Sequence, residues 1–472
     1  MTPVLQPDLC VIGAGSAGLS VAAGAARMGA SVVLIERGRM GGECLNTGCV
    51  PSKSLLAAAA AAQSVRDADG FGIRTHAPEV DFAAVRRHVQ DVIAAIEPHD
   101  SAERFEGLGV TVLRASARFT GPDEVTAGDR RIRARRFVVA TGSRPVLPNV
   151  PGLDAVPYLT NETVFDLPEL PRRLLILGGG PVGCELAQAF RRLGSEVELV
   201  DLGPILPKDD PELVAVLRAR LLTEGVSLHE RATAIRVEPG PVLALGSEDG
   251  RELYLAGSHL LVATGRQPQV DGLDPEVARI AVDAKGIKVD ASLRTTNGRV
   301  YAIGDVAGGP QLTHLASHHA AVVLRNALFR LPARADRAAI PHVTYTEPEL
   351  AQVGLLASEA QARGIRHEVE RWPFADNDRA RAERRAEGLV KLVLGRRGRV
   401  LGAGIVGPHA GELILPWVLA VERKLSLRAM ASVVAPYPTL SEASKRAAGA
   451  WYGRRLFGPA TRRLVRVLAK LG

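Results

Sequence analysis

Short unbroken apolar runs recur through the first part of the chain, and each is followed by a longer stretch whose apolar residues have helical spacing. Leu9–Ile12 opens the series; SVVLIE (31–36), FVVATG (137–142), LLILGG (174–179), HLLVATG (259–265) and VYAIGD (300–305) continue it. Runs of this length suit strands buried on both faces, as in a parallel sheet. From about Pro341 the pattern changes, and VTYTEPELAQVG, GLVKLVLG and RVLGAGIVG read as antiparallel strands with helices between them. A chain of 472 residues buries several cores, so two to four domains are expected. The alanine-rich SLLAAAAAA (54–62) reads as helix and is too short to span a membrane, which takes ~20 apolar residues.

Two of the apolar runs end in the same glycine pattern. Gly13, Gly15 and Gly18 follow the first, and a helical stretch then leads to SVVLIE, ending at Glu36. Gly178, Gly180 and Gly183 follow LLIL, and a helical stretch leads to Asp201. In both copies the acid lies 18 residues beyond the last glycine. Glycines there let the chain turn tightly and bring backbone amides onto a pyrophosphate, helped by the positive end of the helix. The acid accepts hydrogen bonds from ribose hydroxyls. Two dinucleotide sites in one chain imply two nucleotides and electron transfer between them. Asp201 favours the free 2′-hydroxyl of NAD over the 2′-phosphate of NADP, and the following LGPILPKDD has no arginine. FVVATGSRP (137–145) and HLLVATGRQP (259–268) bracket the second unit, so the chain is expected to leave the first domain and re-enter it.

Composition narrows the class further. Lys and Arg total 59 against 51 acids, a net charge of +8. The segment 451–472 holds Arg454, Arg455, Arg462, Arg463, Arg466 and Lys470 and no acid, so the body is close to neutral and carries no nucleic-acid footprint. An aromatic content of 4% also argues against base stacking. Met1–Asp8 runs straight into a strand pattern with no basic-then-apolar leader, which favours a cytoplasmic protein.

Of four cysteines, Cys44 and Cys49 stand together in GGECLNTGCVPSK, with Lys53 four residues later. They lack the neighbours for a zinc site, and a cytosolic chain has little use for a structural staple. A redox pair is left, on one condition. Five apart in a regular helix exceeds a disulfide's reach of ~4.4–6.8 Å between Cα atoms, so Asn46–Gly48 must distort the turn. Lys53, one turn on, favours the Cys49 thiolate.

With GAGSAG, GGECLNTGCVPSK, ATGSRP, GGGPVGCE, ATGRQP, TTNGRVYAIGD and VTYTEPELAQVG in this order, the chain resembles the flavin-dependent pyridine nucleotide–disulfide oxidoreductases over essentially its whole length. That family includes dihydrolipoamide dehydrogenase, glutathione reductase and mercuric reductase. The resemblance implies an α/β fold of two Rossmann-like FAD and NAD(P) domains plus a C-terminal α+β dimerisation domain. The boundaries expected are 1–150 and 268–338 for the FAD domain, 151–267 for the NAD(P) domain and 339–472 for the interface domain. It implies an FAD site at Gly13, Gly15, Ser16, Ala17, Gly18, Glu36, Arg37, Gly42, Lys53, Ala117, Ala140, Thr141, Gly142, Gly304, Asp305, Leu312, Thr313 and His314. The NAD(P) site would be Gly178, Gly180, Pro181, Val182, Gly183, Glu185, Asp201 and Gly265, with NADH preferred. Cys49 matches the thiol facing the flavin, Cys44 the interchange thiol, and Glu185 the acid paired with Lys53. The implied enzyme is a homodimer passing electrons between NADH and a disulfide, dithiol or other acceptor. Other readings are a flavin-only oxidoreductase of the quinone, metal-ion or transhydrogenase type, and a slow redox sensor or assembly module.

The chain departs from that family near its C-terminus. Disulfide-reducing members carry His-Pro followed by Glu as an acid–base dyad; here PYPTLSE puts Tyr437 in the histidine's place and keeps Glu442. Tyrosine titrates near 10 against ~6.5 for histidine, a poor proton shuttle at neutral pH. The tail also lacks the cysteine pair with which mercuric reductase loads metal. Cys10 and Cys184 read as buried hydrophobes, and His314, His318 and His319 as part of a helix passing the flavin, with no metal expected. NDRARAERR (377–385) reads as a solvated face. The basic tail is expected to pack on its own interface domain, with an anionic membrane or an acidic protein as the other reading.

Overall fold

The computed structural model describes residues 4–246, 252–335 and 339–471. The apolar runs become strands where the pattern places them. Val300–Ala302, Arg136–Val139, Leu9–Ile12, Val32–Glu36 and Val110–Arg114 form a five-stranded sheet in that order, parallel throughout. Leu9–Ile12 is buried along its whole length, as an unbroken apolar strand with layers on both faces must be. The helix Ser16–Arg27 crosses from the first strand to the second, and Thr313–Ala327 packs beside it.

The second glycine unit repeats this plan. Val226–Glu230, Glu196–Asp201, Arg173–Leu177 and His259–Val262 form a parallel four-stranded sheet, with helix Pro181–Leu193 crossing between its inner strands. The two ATG segments meet where the chain leaves and re-enters the first unit: Ser143–Pro145 pairs antiparallel with Arg266–Pro268. From His342 the order changes to an antiparallel sheet of His342–Thr344, Glu349–Gly354, Val400–Gly407, Leu389–Leu394 and Glu368–Pro373. The domain boundary expected at 338 lies outside the described residues.

This last sheet is not a separate body. Leu350 and Val406 share one core with Leu213 and Leu217 of the helix Pro211–Thr223 in the second unit. Lys391 reaches the carboxylates of Asp210 at 2.7 Å and Glu212 at 2.8 Å across the same seam. Bonds from Arg371 and then Lys391 hold Glu212 down to about 2.

The basic tail corrects an expectation. It forms the helix Pro459–Leu468, which buries none of its residues, so it does not pack on its own C-terminal unit. The segment 377–385 is also less free than its charge pattern implies. Arg385 pairs with Glu347 at 2.8 Å, and the Arg384 guanidinium lies over the Phe71 ring.

Candidate active site

The glycines of the two repeats are required by backbone packing. A Cβ on Gly18 would stand 1.8 Å from the Gly13 carbonyl oxygen, and one on Gly183 would stand 1.9 Å from that of Gly178. Both are far inside van der Waals contact, so each helix start closes on its own strand end only with glycine there. The acids repeat as closely. Glu36 accepts hydrogen bonds from the amides of Ala14 (2.6 Å) and Gly38 (2.7 Å); Asp201 accepts from Gly179 (2.6 Å) and Gly203 (2.7 Å). Each carboxylate is thereby fixed by two backbone amides with lone pairs left for ribose hydroxyls.

In the first unit these features border a cavity of about 320 Å³, lined by Gly13, Gly15, Glu36, Arg37, Gly42, Ala117, Ala140, Thr141 and Gly142 among others. A Cβ on Gly42 would come within 2.6 Å of the Gly15 Cα, so two backbone segments approach as a phosphate cradle needs. A cavity, a helix N-terminus and a fixed acid in this arrangement fit the ADP half of FAD. Ser16 and Ala17 begin the helix Ser16–Arg27. Gly304 and Asp305 sit on the short turn Gly304–Ala307, where Ser143 donates to the Asp305 carboxylate at 2.5 Å; burial raises that carboxyl. In the second unit Pro181 and Val182 start the helix Pro181–Leu193 and Val182 stays exposed. Gly265 is left-handed with open space where a side chain would be.

The cysteine stretch meets the geometric condition set on it. Helix Gly42–Asn46 stops, Thr47 and Gly48 leave the helical region, and helix Cys49–Asp67 begins at the second cysteine. The Asn46 side chain ties off the first helix by donating to the carbonyls of Met40 (3.0 Å) and Gly42 (2.7 Å). Both cysteines are free thiols. Thr313, at the start of the helix Thr313–Ala327, places its hydroxyl 3.4 Å from the sulfur of Cys49 and 3.4 Å from that of Cys44. A hydroxyl rotor so placed donates to whichever sulfur carries the charge.

The charge belongs on Cys49. A hydrogen bond from the Cys44 thiol pulls Cys49 down to about 6, with Thr313 and the Lys53 ammonium adding to it against burial. The same bond, with burial, pushes Cys44 up. Lys53 stands one turn beyond Cys49, and its ammonium is 2.7 Å from Glu185 and 4.4 Å above the Tyr345 ring centroid.

Glu185 is held from behind. Its second oxygen accepts from the Tyr345 amide at 2.8 Å. Gln188, on the same helix face, exchanges two 2.7 Å hydrogen bonds with the Glu347 backbone. Arg192, one turn further, pairs with Glu347 at 2.6 Å and Glu224 at 2.7 Å while only 5% exposed. The spacing 185, 188, 192 in PVGCELAQAFRRL is the available sequence signal: three polar residues on one helical stripe of a buried helix.

A second network escaped the sequence reading. Arg266 ion-pairs with Glu43, donates to the Ser143 hydroxyl at 2.9 Å and reaches Asn161 at 3.1 Å; Asn161 in turn donates to Glu43 at 2.9 Å. Glu43 lines the FAD-type cavity, and burial raises its carboxyl to about 7. Glu43, Ser143 and Arg266 were visible inside GGECLNTGC, ATGSRP and ATGRQP, but their meeting with one another and with Asn161 was not.

The side chains of the remaining expected residues make other contacts. Leu312 caps the Thr313 helix, and His314 bonds the Pro341 carbonyl at 2.8 Å rather than turning inward. Tyr437 is 67% exposed and donates to Asp378 at 3.2 Å, a bond that raises its phenol. Glu442 pairs with Arg446 at 3.6 Å. Within one chain this pair therefore bonds inside the C-terminal unit and not to the thiols. Cys10 and Cys184 are fully buried, and burial pushes both thiols up. Among the described residues no three His, Cys, Asp or Glu converge as metal ligands, and no helix is long and apolar enough to cross a membrane.

A dithiol with a stabilised thiolate, a lysine–carboxylate pair beside it and two dinucleotide cradles define a flavin-linked disulfide oxidoreductase. Comparison with known proteins agrees. The family described as pyridine nucleotide-disulphide oxidoreductase matches residues 7–320, and its dimerisation domain matches residues 340–448. The chain belongs to this family and is an NAD(P)H-dependent flavoprotein disulfide oxidoreductase. A mercuric reductase of Streptomyces lividans is 36% identical over 451 residues, 93% of this chain and 95% of that one. A dihydrolipoyl dehydrogenase of Thermus scotoductus is 37% identical over 462 residues, 94% of this chain and 97% of that one. Among solved structures, LpdA of Mycobacterium tuberculosis superimposes with a TM-score of 0.86 at 28% identity, covering 96% of this chain and 100% of that one. The HOCl-induced disulfide reductase RclA of Escherichia coli does so at 0.84 and 27%, covering 94% and 99%.

Proposed function

We propose that this enzyme takes electrons from NADH and delivers them through the Cys44–Cys49 pair to an acceptor with an acidic leaving thiol. FAD, when bound, supplies a two-electron carrier between nicotinamide and disulfide; Gly13–Gly18, Glu36, Thr141, Asp305 and the Leu312–His314 turn would hold it. We assign 1–150 and 268–338 to the flavin unit, 151–267 to the nicotinamide unit and 339–472 to the pairing unit. Leu415, Leu419, Val433 and Val434 leave an exposed apolar surface on that unit, suited to a second copy of the chain.

The observation that carries the reading is the stabilised Cys49 thiolate beside Cys44. In exchange, Cys44 hands its proton to the Cys49 thiolate, and the Cys44 thiolate so formed attacks a substrate disulfide, so that one substrate thiolate leaves. Cys49 then attacks the Cys44 sulfur of the mixed disulfide, which closes the internal disulfide and expels the second thiol. The two electrons consumed come from NADH, which reopens the pair. Asp201, clamped by two amides, would accept from the 2′-hydroxyl of NADH and repel a 2′-phosphate. Arg231, whose amide donates to the Gly203 carbonyl at 3.1 Å beside that turn, is the residue NADPH would use.

The acceptor class follows from Tyr437. Its phenol, raised by Asp378, does not relay protons at neutral pH, so a leaving thiol must depart unassisted. That favours low-pKa thiols. We place the work in the cytoplasm, where thiols are kept reduced, and assign the basic tail a contact outside the catalytic body. The test is Cys44→Ser assayed with NADH or NADPH against lipoamide, glutathione disulfide, coenzyme A disulfide, an aromatic disulfide, quinones and Hg(II). Disulfide turnover should vanish while slow NADH oxidation by oxygen persists. Unchanged disulfide turnover refutes the relay; native activity confined to quinones marks flavin-only chemistry.

A further inference from the structure

The helix Pro459–Leu468 lies beyond the residues matched by the dimerisation domain, which end at 448. At 3.6 residues per turn, Leu464, Val467 and Leu468 share one face with Val465 at its border, and Leu471 follows just past the helix end. Arg462, Arg463 and Arg466 occupy the opposite face, and Lys470 adds a fourth cation just past the helix end. The apolar side chains are open to solvent, Leu464 at 57% and Leu471 at 78%. Residues 459–472 contain no acid. Among the described residues none of the four cations pairs with a carboxylate, whereas Arg454 and Arg455 on the preceding helix are taken by Glu370 and Glu368.

We propose that this tail is a peripheral membrane anchor that lies along an anionic lipid surface. The proposal deepens the tail contact assigned above and does not depend on the disulfide chemistry. The argument is charge complementarity together with shape. A continuous apolar stripe backed by an unbroken cationic face is the form of an interfacial helix. Lipid headgroups supply counter-charges for all four cations while the leucines and valines enter the acyl boundary. A packed protein partner would have to match both faces of one short helix. One such helix binds weakly; a dimer presents two, and the second engages at high effective concentration.

The test is flotation of the FAD-loaded full-length enzyme with vesicles of phosphatidylglycerol and phosphatidylcholine in equal parts, and of phosphatidylcholine alone, at low and high salt. Each cation near an anionic surface contributes roughly a factor of five, so the anionic vesicles should bind on the order of several hundredfold more tightly. Salt should weaken that binding. Leu464→Glu with Leu468→Glu, and separately Arg463→Glu with Arg466→Glu, should abolish flotation. Flavin content, NADH oxidation and sedimentation as a dimer should stay native in both variants. The proposal is overturned if the native enzyme fails to float at low salt, binds both vesicle types alike, or floats equally well with the substitutions. It is also overturned if the substitutions split the dimer, which would place the helix against the second copy. Loss of NADH chemistry with flotation intact would count against the catalytic reading alone.

Discussion

Replacing Thr313 by valine removes one hydroxyl from between Cys44 and Cys49 and keeps the side chain's shape. The hydroxyl lies 3.4 Å from each sulfur, and the Cys49 thiol sits at about 6 against an ordinary 9.0. Cys44 is the first cause of that depression, and Thr313 and Lys53 follow it. A hydrogen bond to a charged group contributes ~1.5–3 kcal/mol. A long bond to sulfur belongs at the low end, about 1.5 kcal/mol, which is about one pKa unit. The bond is made to the thiolate and lost on protonation, so its removal raises the pKa and the thiolate disappears at higher pH. The assay is anaerobic two-electron reduction of the FAD-loaded enzyme, followed by titration of the long-wavelength thiolate–flavin absorbance. In the native enzyme that band should fade as pH drops through about 6. In Thr313→Val the midpoint should rise by about one unit, and Thr313→Ser, which keeps the hydroxyl, should restore it. A Val midpoint within roughly two tenths of a unit of the native one would show that the hydroxyl does not hold the charge, and the account of the thiolate would fail.

The glycine repeat allows a paired test. Gly18→Ala should yield protein without yellow flavin colour, while Gly183→Ala should keep its flavin, reducible by dithionite but no longer by NADH; absorbance spectra distinguish the two. Arg192→Met strips buried Glu224 of its bidentate partner, leaving it Arg220 at 4.0 Å and Gln188 at 3.3 Å, and should cost up to roughly 3 kcal/mol of stability, read as a lower urea midpoint, with flavin reduction slowed because the Glu347 segment beside Glu185 loses its anchor. Tyr437→His places a group titrating near 6.5 at the dyad position and should raise lipoamide turnover at neutral pH; an unchanged pH–rate profile would show that the position takes no part in proton transfer.

Much of the candidate site was legible because it is local. The spacing of Gly13, Gly15 and Gly18 from Glu36, repeated at Gly178 to Asp201, encodes a contact between the end of one strand and the start of the next helix. Lys53 follows Cys49 by one turn, so its influence on the thiol needs no tertiary knowledge. The contacts that were missed span long separations. Thr313 meets Cys49 across 264 positions and Arg266 meets Glu43 across 223. Thr313 was in view as a residue of the implied FAD site and Arg266 inside ATGRQP, yet nothing in a motif says which side chain faces another segment. The tail was misjudged for a related reason: amphipathic spacing shows that a helix has an apolar face, not what covers it.

By itself the sequence determined the element types, the doubled dinucleotide unit and the chemistry on offer, since strand burial, glycine turns and cysteine spacing are properties of neighbouring residues. Only the tertiary structure supplied the rest of the thiolate's setting, because the Thr313 hydroxyl that reaches both sulfurs and the Glu185 carboxylate that holds Lys53 come from segments far away in the chain. It also decided that Tyr437 bonds to Asp378 instead of the thiols within one chain, and that the cationic tail helix stays uncovered. These are contacts over distance, and the chain makes them only once its domains have packed.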